Sequence, residues 1–378
     1  MPAMPSSSLR DLFDNAGRGG PAFVPADPRP RIFHRSLPGY RPSALAPAPG
    51  TAAQLGLERL LVKMEVERFG LPSFKILGAS WAVCRALSVR AGRDEPAPTF
   101  GELRGLAHEQ DELTLVAATD GNHGRAVAHM ARLLGLGARI LVPEHTAAAR
   151  IDAIAAEGAA VEVVRGGYDD AVAASAAAAG NRRLVISDTS WPGYTDVPGW
   201  VADGYATIFE ELREQLPEVP PLMAVQIGVG ALASAAVRAL AAPGRVLLGV
   251  EPADAACALA AVRGGAPVLV AGPHRSVMAG LNCGTASQIA LPDMARGIDA
   301  FCAIDDRAAE AAVRMLLADG LSCGETGASG VAGLVALREH RPQATWEPLG
   351  LPARPSALVL CTEAPTDPAS FARITGAG

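Results

Sequence analysis

The stretch TLVAATDGNHGRAVAHMARLLG, residues 114–135, decides the fold of this chain. Its first residues are apolar and predict a strand, its last fourteen have helical spacing, and a polar turn around Gly121 and Asn122 joins the two. In open α/β sheets, ligands bind at such turns, because they lie at the carboxyl ends of the strands. The first backbone amides of the helix have no partner inside the helix, so the turn predicts an anion-binding site.

The same alternation of strand and helix extends outward from this stretch. The segments ARILVPE, AAVEVVRG and RRLVIS read as strands, and helix-like segments separate them up to about residue 190. Short strands that alternate with helices predict parallel βαβ units, here a small mobile α/β domain over residues 100–189. A second series, with strands at LMAVQIGVG, RVLLGVE, FCAIDD and SALVLCTE, predicts a large domain over residues 53–99 and 190–378.

The predicted architecture is therefore a two-domain α/β protein with open, mostly parallel sheets flanked by helices. We expect the large domain to begin with a helix around LGLERLLVKMEVERFG, residues 55–70. Residues 1–52 are rich in Pro, Ser and Ala with little periodicity, and they predict an extended N-terminal arm that packs on the body.

Composition excludes several classes of function. The net charge of −6 and the lack of a basic run argue against nucleic acid as a partner. No apolar run reaches the length of about 18 residues that a membrane span needs, and the first residues lack an apolar signal core, so we expect a cytoplasmic protein. The six cysteines have no metal-site spacing, which predicts buried small side chains and no metal. Cys257 and Cys283 flank a loop-rich stretch and are able to meet, but we expect no stable bridge in a reducing compartment.

One lysine stands out. Lys75 lies in the uncharged segment LPSFKILGAS, and apolar surroundings lower the pKa of a lysine, as a Schiff-base lysine requires. Together with the anion-binding turn, it predicts a pyridoxal phosphate site.

A second glycine-bearing loop, residues 228–232, follows a strand and opens a helix, so its amides suit a phosphate. Read as Gly228-x-Gly230-x-x-Ala233 with Glu251 ending the next strand, the loop also fits a dinucleotide fingerprint. That pattern would indicate a nicotinamide-dependent oxidoreductase, for which Lys75 has no use. The glycines also fit a tight turn that only packs.

Seven segments then carry a resemblance to a known family. In order and spacing, SFKILGAS, ATDGNHG, DTSWPGYTDVPGW, GVGALA, MAGLNCGTAS, GETGASG and LCTEAPTDP resemble the diaminopropionate ammonia-lyases, from about residue 60 onward. These are pyridoxal phosphate enzymes of the tryptophan synthase β-like fold, also called fold type II. The resemblance implies a homodimer. It further implies α,β-elimination of 2,3-diaminopropionate to pyruvate and two ammonia, through a Schiff base on Lys75 and an aminoacrylate.

The resemblance also implies roles for individual residues. Lys75 would hold the cofactor and take the α-proton of the L isomer, Asp120 would take that of the D isomer, and Asp188 would act close to the substrate. Asn122 would bind the phenolic oxygen of the cofactor. The other cofactor contacts implied are Phe74, Gly228, Val229, Gly230, Ala231, Leu232, Cys361 and Thr362. The implied substrate-binding residues are Thr119, Asp120, Gly121, His123, Asp188 and Tyr194.

Some of these residues equally suit a purely structural role. Asn122 and Asp188 fit helix caps, and Asp120 fits a turn. The family usually has Ser-Thr-Glu-Gly where this chain has Cys361, Thr362, Glu363 and Ala364, so either Cys361 or Thr362 would face the pyridine nitrogen, and Ala364 would narrow the pocket or shift the turn.

Alternative functions are a serine or threonine dehydratase, another pyridoxal phosphate enzyme of β-elimination or β-replacement, and a catalytically idle homologue. The related dehydratases carry a small hydroxyl residue at the position of Asp120, which disfavours the first alternative.

Overall fold

Two β-sheets organise the protein, whose computed structural model describes residues 8–17, 27–110, 112–119 and 121–376. The large sheet has seven strands in the order β1-β10-β9-β8-β11-β3-β2, and the small sheet has four in the order β6-β5-β4-β7. The strands are β1 (Leu9–Asp14), β2 (Ala44–Pro47), β3 (Arg59–Met64), β4 (Thr114–Ala118), β5 (Gly137–Pro143), β6 (Ala160–Val164), β7 (Arg183–Val185), β8 (Leu222–Gln226), β9 (Val246–Pro252), β10 (Ala300–Ile304) and β11 (Ser356–Cys361).

Helices cover the faces of both sheets. They are α1 (Arg29–Ser36), α2 (Pro49–Leu55), α3 (Lys75–Arg90), α4 (Phe100–His108), α5 (Asn122–Leu134), α6 (Ala148–Ala155), α7 (Tyr168–Ala177), α8 (Asp196–Gln215), α9 (Ala231–Leu240), α10 (Cys257–Gly264), α11 (Leu291–Gly297), α12 (Asp306–Ala318), α13 (Ser329–His340) and α14 (Pro368–Thr375). Within the described residues, no helix has the length and apolar character needed to cross a bilayer.

The predicted α/β architecture is confirmed. All strand pairs of the small sheet are parallel, and so are the central pairs of the large sheet. Because parallel strands all end at the same edge of a sheet, the turns after β4, β8 and β11 lie at carboxyl edges, where open sheets hold ligands.

The helix expected at residues 55–70 is wrong, because the centre of this segment forms strand β3. Leu60 and Val62 face one buried side of the large sheet, and Leu61 faces the other. A strand that is buried on both faces reads as one continuous apolar run, and such a run does not differ from a buried helix in periodicity.

The N-terminal segment contributes more than an extended arm. Strand β1 pairs antiparallel with β10 at one edge of the large sheet, and β2 pairs antiparallel with β3 at the other. Residues 9–14 and 44–47 therefore complete the seven-stranded sheet. We call the part of the protein built on this sheet the large unit and the part built on the four-stranded sheet the small unit. The division into domains at residues 52, 99 and 189 remains a prediction.

A fully buried cluster of charges anchors the loop that leads from β3 to the site. Arg68 donates to Glu65 at 2.6 Å and to Glu211 of α8 at 2.6 Å, and Lys63 donates to Glu211 at 2.8 Å. The side chains of all four residues are at most 1% exposed. The cluster ties the start of the loop over residues 65–74 to α8, directly ahead of Lys75.

The cysteines are all buried, and two of them are joined. Cys323 and Cys361 form a disulfide with their Cα atoms 5.9 Å apart, a pairing that no sequence pattern indicated. The two lie 38 positions apart in the chain, and only the packing of the loop before α13 against the end of β11 brings them together. Cys257 and Cys283 form no disulfide with each other.

Candidate active site

A cavity with an empty volume of about 720 Å³ brings together the three turns that follow β4, β8 and β11. Both sheets contribute to its wall. The residues that line it are Phe74, Lys75, Thr119, Asn122, His123, Tyr168, Asp188, Tyr205, Gln226, Gly228, Val229, Gly230, Ala231, Leu232, Gly280, Leu281, Cys283, Thr326, Thr362 and Glu363.

Lys75 is the first residue of α3 and enters the cavity from the large unit. Its Nζ donates to Asp188 Oδ2 at 2.7 Å and lies 5.6 Å from the centre of the Phe74 ring. The amide of Phe74 donates to the carbonyl of Thr362 at 3.3 Å, which fixes the approach of this loop to the end of β11. The primary amine of Lys75 therefore lies inside the cavity, within hydrogen-bond distance of the carboxylate of Asp188.

Asp188 is surrounded by donors. Besides Lys75, the hydroxyl of Tyr168 donates to its Oδ1 at 2.8 Å, and Nδ1 of His123 lies 3.9 Å from its Oδ2. Burial by itself raises the pKa of this carboxyl, but the charges of Lys75 and His123 and the hydrogen bonds from Lys75 and Tyr168 outweigh it and hold the pKa well below its ordinary value. Asp188 is therefore a carboxylate at any pH near neutrality.

The glycine loop after β8 forms a cradle in the wall of the same cavity. Gly230 has a φ of +105°, which favours glycine, and it precedes the first turn of α9 without any side-chain cap. A Cβ at Gly228 would lie 3.1 Å from the carbonyl oxygen of Gly280, so the loop approaches its neighbour too closely for a larger residue. The amides that open α9 thus meet an uncapped space fit for a phosphate.

Gln226 and Thr362 form a hydrogen-bonded pair in the wall of the cavity. Nε2 of Gln226 donates to Oγ1 of Thr362 at 3.0 Å, and Oε1 of the same amide is buried without a hydrogen-bond partner among the described residues. Amine, phosphate cradle and polar end wall in one cavity fit a pyridoxal phosphate, with Lys75, the amides of residues 230–232 and the hydroxyl of Thr362 as the groups that would hold it.

The assignment of Cys361 to the cofactor is corrected by the structure. Side chains of a strand alternate between its faces, and Cys361 follows Ala357 and Val359 into the core cluster on the side away from the cavity. Its sulfur is bonded to Cys323. Thr362, one residue on, lines the cavity, so of the two residues left open by the sequence only Thr362 faces the site.

Asn122 lies at the cavity wall as the first residue of α5, and Gly121 takes the N-cap position. Asn122 therefore does not occupy the N-cap position, for which its side chain was also suited. Its amide donates to a carboxylate oxygen of Glu363, which links the start of α5 in the small unit to the loop after β11 in the large one. Gly121 has a φ of +155° and lines a neighbouring cavity.

The structure places the other predicted substrate residues differently. Thr119 and His123 line the cavity, and Nε2 of His123 is hydrogen-bonded to the carbonyl of Ile186 at 2.8 Å. Tyr194 does not line it: its hydroxyl donates to the carbonyl of Val185 at 2.7 Å, and its ring stacks on Trp191. Tyr194 therefore shapes the turn that carries Asp188, and its binding of substrate remains a prediction. Asp120 lies outside the described residues.

Glu251 does not line the active-site cavity. It is fully buried at the end of β9 and accepts from the amides of Ala258 and Leu259, at 2.7 and 2.8 Å. Burial raises its pKa to about 8. The acid of the dinucleotide fingerprint is therefore a cap of α10, and the loop at residues 228–232 serves a different purpose.

Several lining residues were missed from the sequence. Gln226 carried one usable signal, a polar residue that ends an otherwise apolar strand. Thr326 and Glu363 lie within segments that carried the family resemblance, but no spacing identified them. Tyr168 opens a helix far from the other motifs in sequence, and only the packing of the small sheet brings it to Asp188.

Comparisons with known proteins agree with this site. A family model described as pyridoxal-phosphate dependent enzyme matches residues 37–346. The diaminopropionate ammonia-lyase of Escherichia coli (strain K12) is 33% identical over 386 aligned positions, which cover 97% of this chain and 96% of that protein.

Two crystal structures of the Escherichia coli enzyme are also similar. The complex with D-serine has a TM-score of 0.89 at 31% identity and covers 98% of this chain and 97% of that one. The complex with an aminoacrylate-PLP azomethine reaction intermediate has a TM-score of 0.86 at 30% identity, with the same coverage.

Proposed function

Because the chain belongs to the diaminopropionate ammonia-lyase family of pyridoxal-phosphate dependent enzymes, we propose that it converts 2,3-diaminopropionate to pyruvate with release of both amino groups as ammonia. The observation that carries the proposal is the position of Lys75: its Nζ lies 2.7 Å from Asp188 in the cavity that also contains the glycine cradle. Bound pyridoxal phosphate supplies the electron sink for loss of the α-proton and of the β-substituent.

Lys75 has two tasks in this proposal. Its amine would hold the cofactor covalently, and the free amine would remove the α-proton of the L isomer. Phe74 packs beside the amine, and the uncapped amides of residues 230–232 would hold the phosphate. Asn122 would hold the ring, and Thr362 would serve as a neutral partner of the pyridine nitrogen.

Asp188 favours a diamine as substrate. Its carboxylate is ionised and lies inside the cavity, where a buried negative charge attracts an ammonium more strongly than it does a neutral hydroxyl. 2,3-Diaminopropionate carries a second amino group on its β-carbon, whereas serine carries a hydroxyl. We assign to Asp188 the binding of that amino group in the protonated form in which it leaves. Thr119 and His123 complete the substrate side of the wall.

Asp120 acts as the base for the D isomer in this proposal. The assignment rests on the resemblance of the turn ATDGNHG to the family. A carboxylate serves as a general base at neutral pH, and the small hydroxyl residue of the related dehydratases does not.

The experiment that tests the function is a substrate comparison on the pure holoenzyme. D- and L-2,3-diaminopropionate, L-serine and L-threonine are each incubated with enzyme, and 2-oxo acid is measured, with Lys75→Ala as the inactive control. We expect pyruvate from both diaminopropionates. Pyruvate from serine without pyruvate from either diaminopropionate would assign the protein to the dehydratases instead. Asp120→Asn is expected to slow turnover of the D isomer more than that of the L isomer, and equal losses would contradict the separate bases.

We also propose that the protein works as a homodimer in the cytoplasm, which the resemblance to the family supports. Light scattering of the purified holoenzyme after size exclusion measures the mass of the assembly. A monomer mass at micromolar concentration would refute the dimer. Cell fractionation with an antibody tests the location, and recovery in the membrane fraction would refute it.

A further inference from the structure

Gln226 places a buried carboxamide at the end of an apolar strand. It is the last residue of β8, the four residues before it in the strand are apolar, and its own side chain contributes to the wall of the active-site cavity. Nothing in the proposed function uses this side chain. A buried polar group is costly unless it is hydrogen-bonded, so the contacts of the carboxamide indicate its task.

Four acceptors surround Nε2 of Gln226. Three are main-chain carbonyl oxygens, those of Thr326 at 3.1 Å, Gly327 at 3.3 Å and Leu360 at 3.1 Å. The fourth and nearest is Oγ1 of Thr362 at 3.0 Å. Carbonyl oxygens only accept, so the amide has to present its NH2 group at this place, where its own oxygen would be repelled. The neighbour of the Thr362 hydroxyl is therefore fixed as a donor.

This donor decides how the Thr362 hydroxyl is used. A hydroxyl has one proton to donate and two lone pairs that accept. Because Oγ1 accepts from Gln226, its proton points elsewhere. The acceptor that the described residues offer this proton is the carbonyl of Thr326 at 3.5 Å, well beyond the ordinary length of such a bond, and that carbonyl already accepts from Gln226. The proton of Thr362 is thus left for an acceptor in the cavity that this residue lines.

We propose that Gln226 is a positioning residue of the cofactor site, whose amide holds the hydroxyl of Thr362 as a hydrogen-bond donor to the pyridine nitrogen. The proposal rests on the proposed role of Thr362 as the partner of that nitrogen. A nitrogen that accepts a hydrogen bond stays unprotonated, since a protonated one would need an acceptor instead. Hydrogen bonds in a chain polarise one another, so the bond from Gln226 also strengthens donation by Thr362.

The same amide also has a structural task. Its contacts with the carbonyls of Thr326 and Leu360 join the loop before α13 to the end of β11. Loss of these contacts lowers the stability of the fold but does not by itself change the hydrogen bond at the pyridine nitrogen. A signal from that nitrogen therefore separates the positioning role of Gln226 from the structural one.

The test is the ¹⁵N NMR resonance of the pyridine nitrogen in holoenzyme that is produced with ¹⁵N-labelled pyridoxine. Gln226→Met removes the donor at similar side-chain length, Thr362→Val removes the hydroxyl, and the double variant shows whether Gln226 acts through Thr362. Thr326→Val is the matched control. It removes a 3.1 Å hydrogen bond from the amide of Gly280 in the same cavity wall, and it keeps the main-chain carbonyl that accepts from Gln226. Circular dichroism and the absorbance of the bound cofactor establish that each variant is folded and loaded, and Gln226→Leu replaces Gln226→Met if that variant is not.

We expect Thr362→Val to move the resonance away from its wild-type position, because the hydrogen bond to the nitrogen is lost. Gln226→Met should move it toward the position in Thr362→Val, the double variant should coincide with Thr362→Val, and Thr326→Val should leave it in place. A wild-type resonance in Gln226→Met, an additional displacement in the double variant, or an equal displacement in Thr326→Val would refute the role of Gln226.

An unchanged resonance in Thr362→Val would refute Thr362 as the nitrogen partner and the role of Gln226 with it. The proposed reaction is tested separately, because pyruvate formation from 2,3-diaminopropionate by the wild type does not depend on where this resonance lies. Failure of the positioning role and failure of the proposed reaction are therefore distinguishable.

Discussion

Replacing Glu211 by Gln tests how the buried charges hold the approach to Lys75. The two carboxylate oxygens of Glu211 accept from Arg68 at 2.8 and 2.6 Å, from Lys63 at 2.8 Å, from the hydroxyl of Tyr40 at 2.9 Å and from the amide of Ser43 at 3.2 Å. In the wild type, two cations and two carboxylates balance within the cluster. Glu211→Gln leaves Lys63 and Arg68 with Glu65 as their only carboxylate in the cluster.

The size of the expected loss of stability follows from the burial of the charge cluster. Removing one partner of a buried ion pair costs about 3–5 kcal/mol, mainly because the remaining charge stays desolvated. We expect Glu211→Gln to lower the free energy of unfolding by an amount in this range. Burial already lowers the pKa of Lys63, and loss of the adjacent carboxylate lowers it further. The deficit relative to the wild type should therefore shrink as pH rises and Lys63 loses its proton.

The assay is urea unfolding of the holoenzyme, followed by tryptophan fluorescence, at several pH values. Glu214→Gln is the matched control, since Glu214 lies on the same helix and pairs with Arg31 but its side chain is 57% exposed. Exposed pairs contribute little, so this variant should stay close to the wild type. A loss below about 1 kcal/mol in Glu211→Gln, or equal losses in the two variants, would refute the reasoning, because such values are typical of exposed pairs.

Three further predictions address the site and its surroundings. Burial raises the pKa of Glu251 to about 8, so the folded state favours its protonated form. The stability that this carboxyl contributes is therefore lost as pH rises from the ordinary pKa range of a glutamate through that value. The melting temperature of the wild type should fall more steeply over this interval than that of Glu251→Gln, and parallel curves would contradict the assignment. Thr362→Val should shift the absorbance of the bound cofactor, whereas Cys361→Ala, on the other face of β11, should leave that spectrum in place; a shift in Cys361→Ala alone would reverse our choice of nitrogen partner. Asp188→Asn should lower kcat for diaminopropionate by about a hundredfold or more, the scale of a lost group at the reacting centre, and a change confined to KM would show that Asp188 only binds.

Much of the fold was predictable because local patterns repeat. The segments around β4, α5, β5 and β8 each agree with the bounds observed to within a few residues, since alternating strands and helices bounded by Gly or polar turns leave few other choices. The segment of β3 was not predictable, because its apolar run is explained only by burial on both faces of the sheet. The edge strands β1 and β2 were missed for the opposite reason, since short edge strands need little hydrophobic pattern.

The residues of the site were likewise predictable from the sequence only in part. The turn at residues 119–124, the loop at residues 228–232 and Lys75 were recognisable, because each needs glycine or an isolated charge in a fixed local setting. Tyr168 and Gln226 reach the same cavity without such a requirement, and the sequence contains no local sign of their proximity to Asp188 or Thr362. The hydroxyl of Tyr194 is hydrogen-bonded to the carbonyl of Val185, a contact that an aromatic residue in a conspicuous segment does not reveal from sequence.

By itself, the sequence determined the α/β class, the cofactor and the reaction family, because these depend on short segments whose chemistry is local. Only the tertiary structure decided which side chains share the cavity. Because side chains alternate along strand β11, Cys361 points away from the cavity and Thr362 lines it. Glu251 is a buried cap, and two arginines line a second cavity. These outcomes depend on the packing of residues far apart in the chain, and each position is fixed by burial and hydrogen bonding across the two sheets.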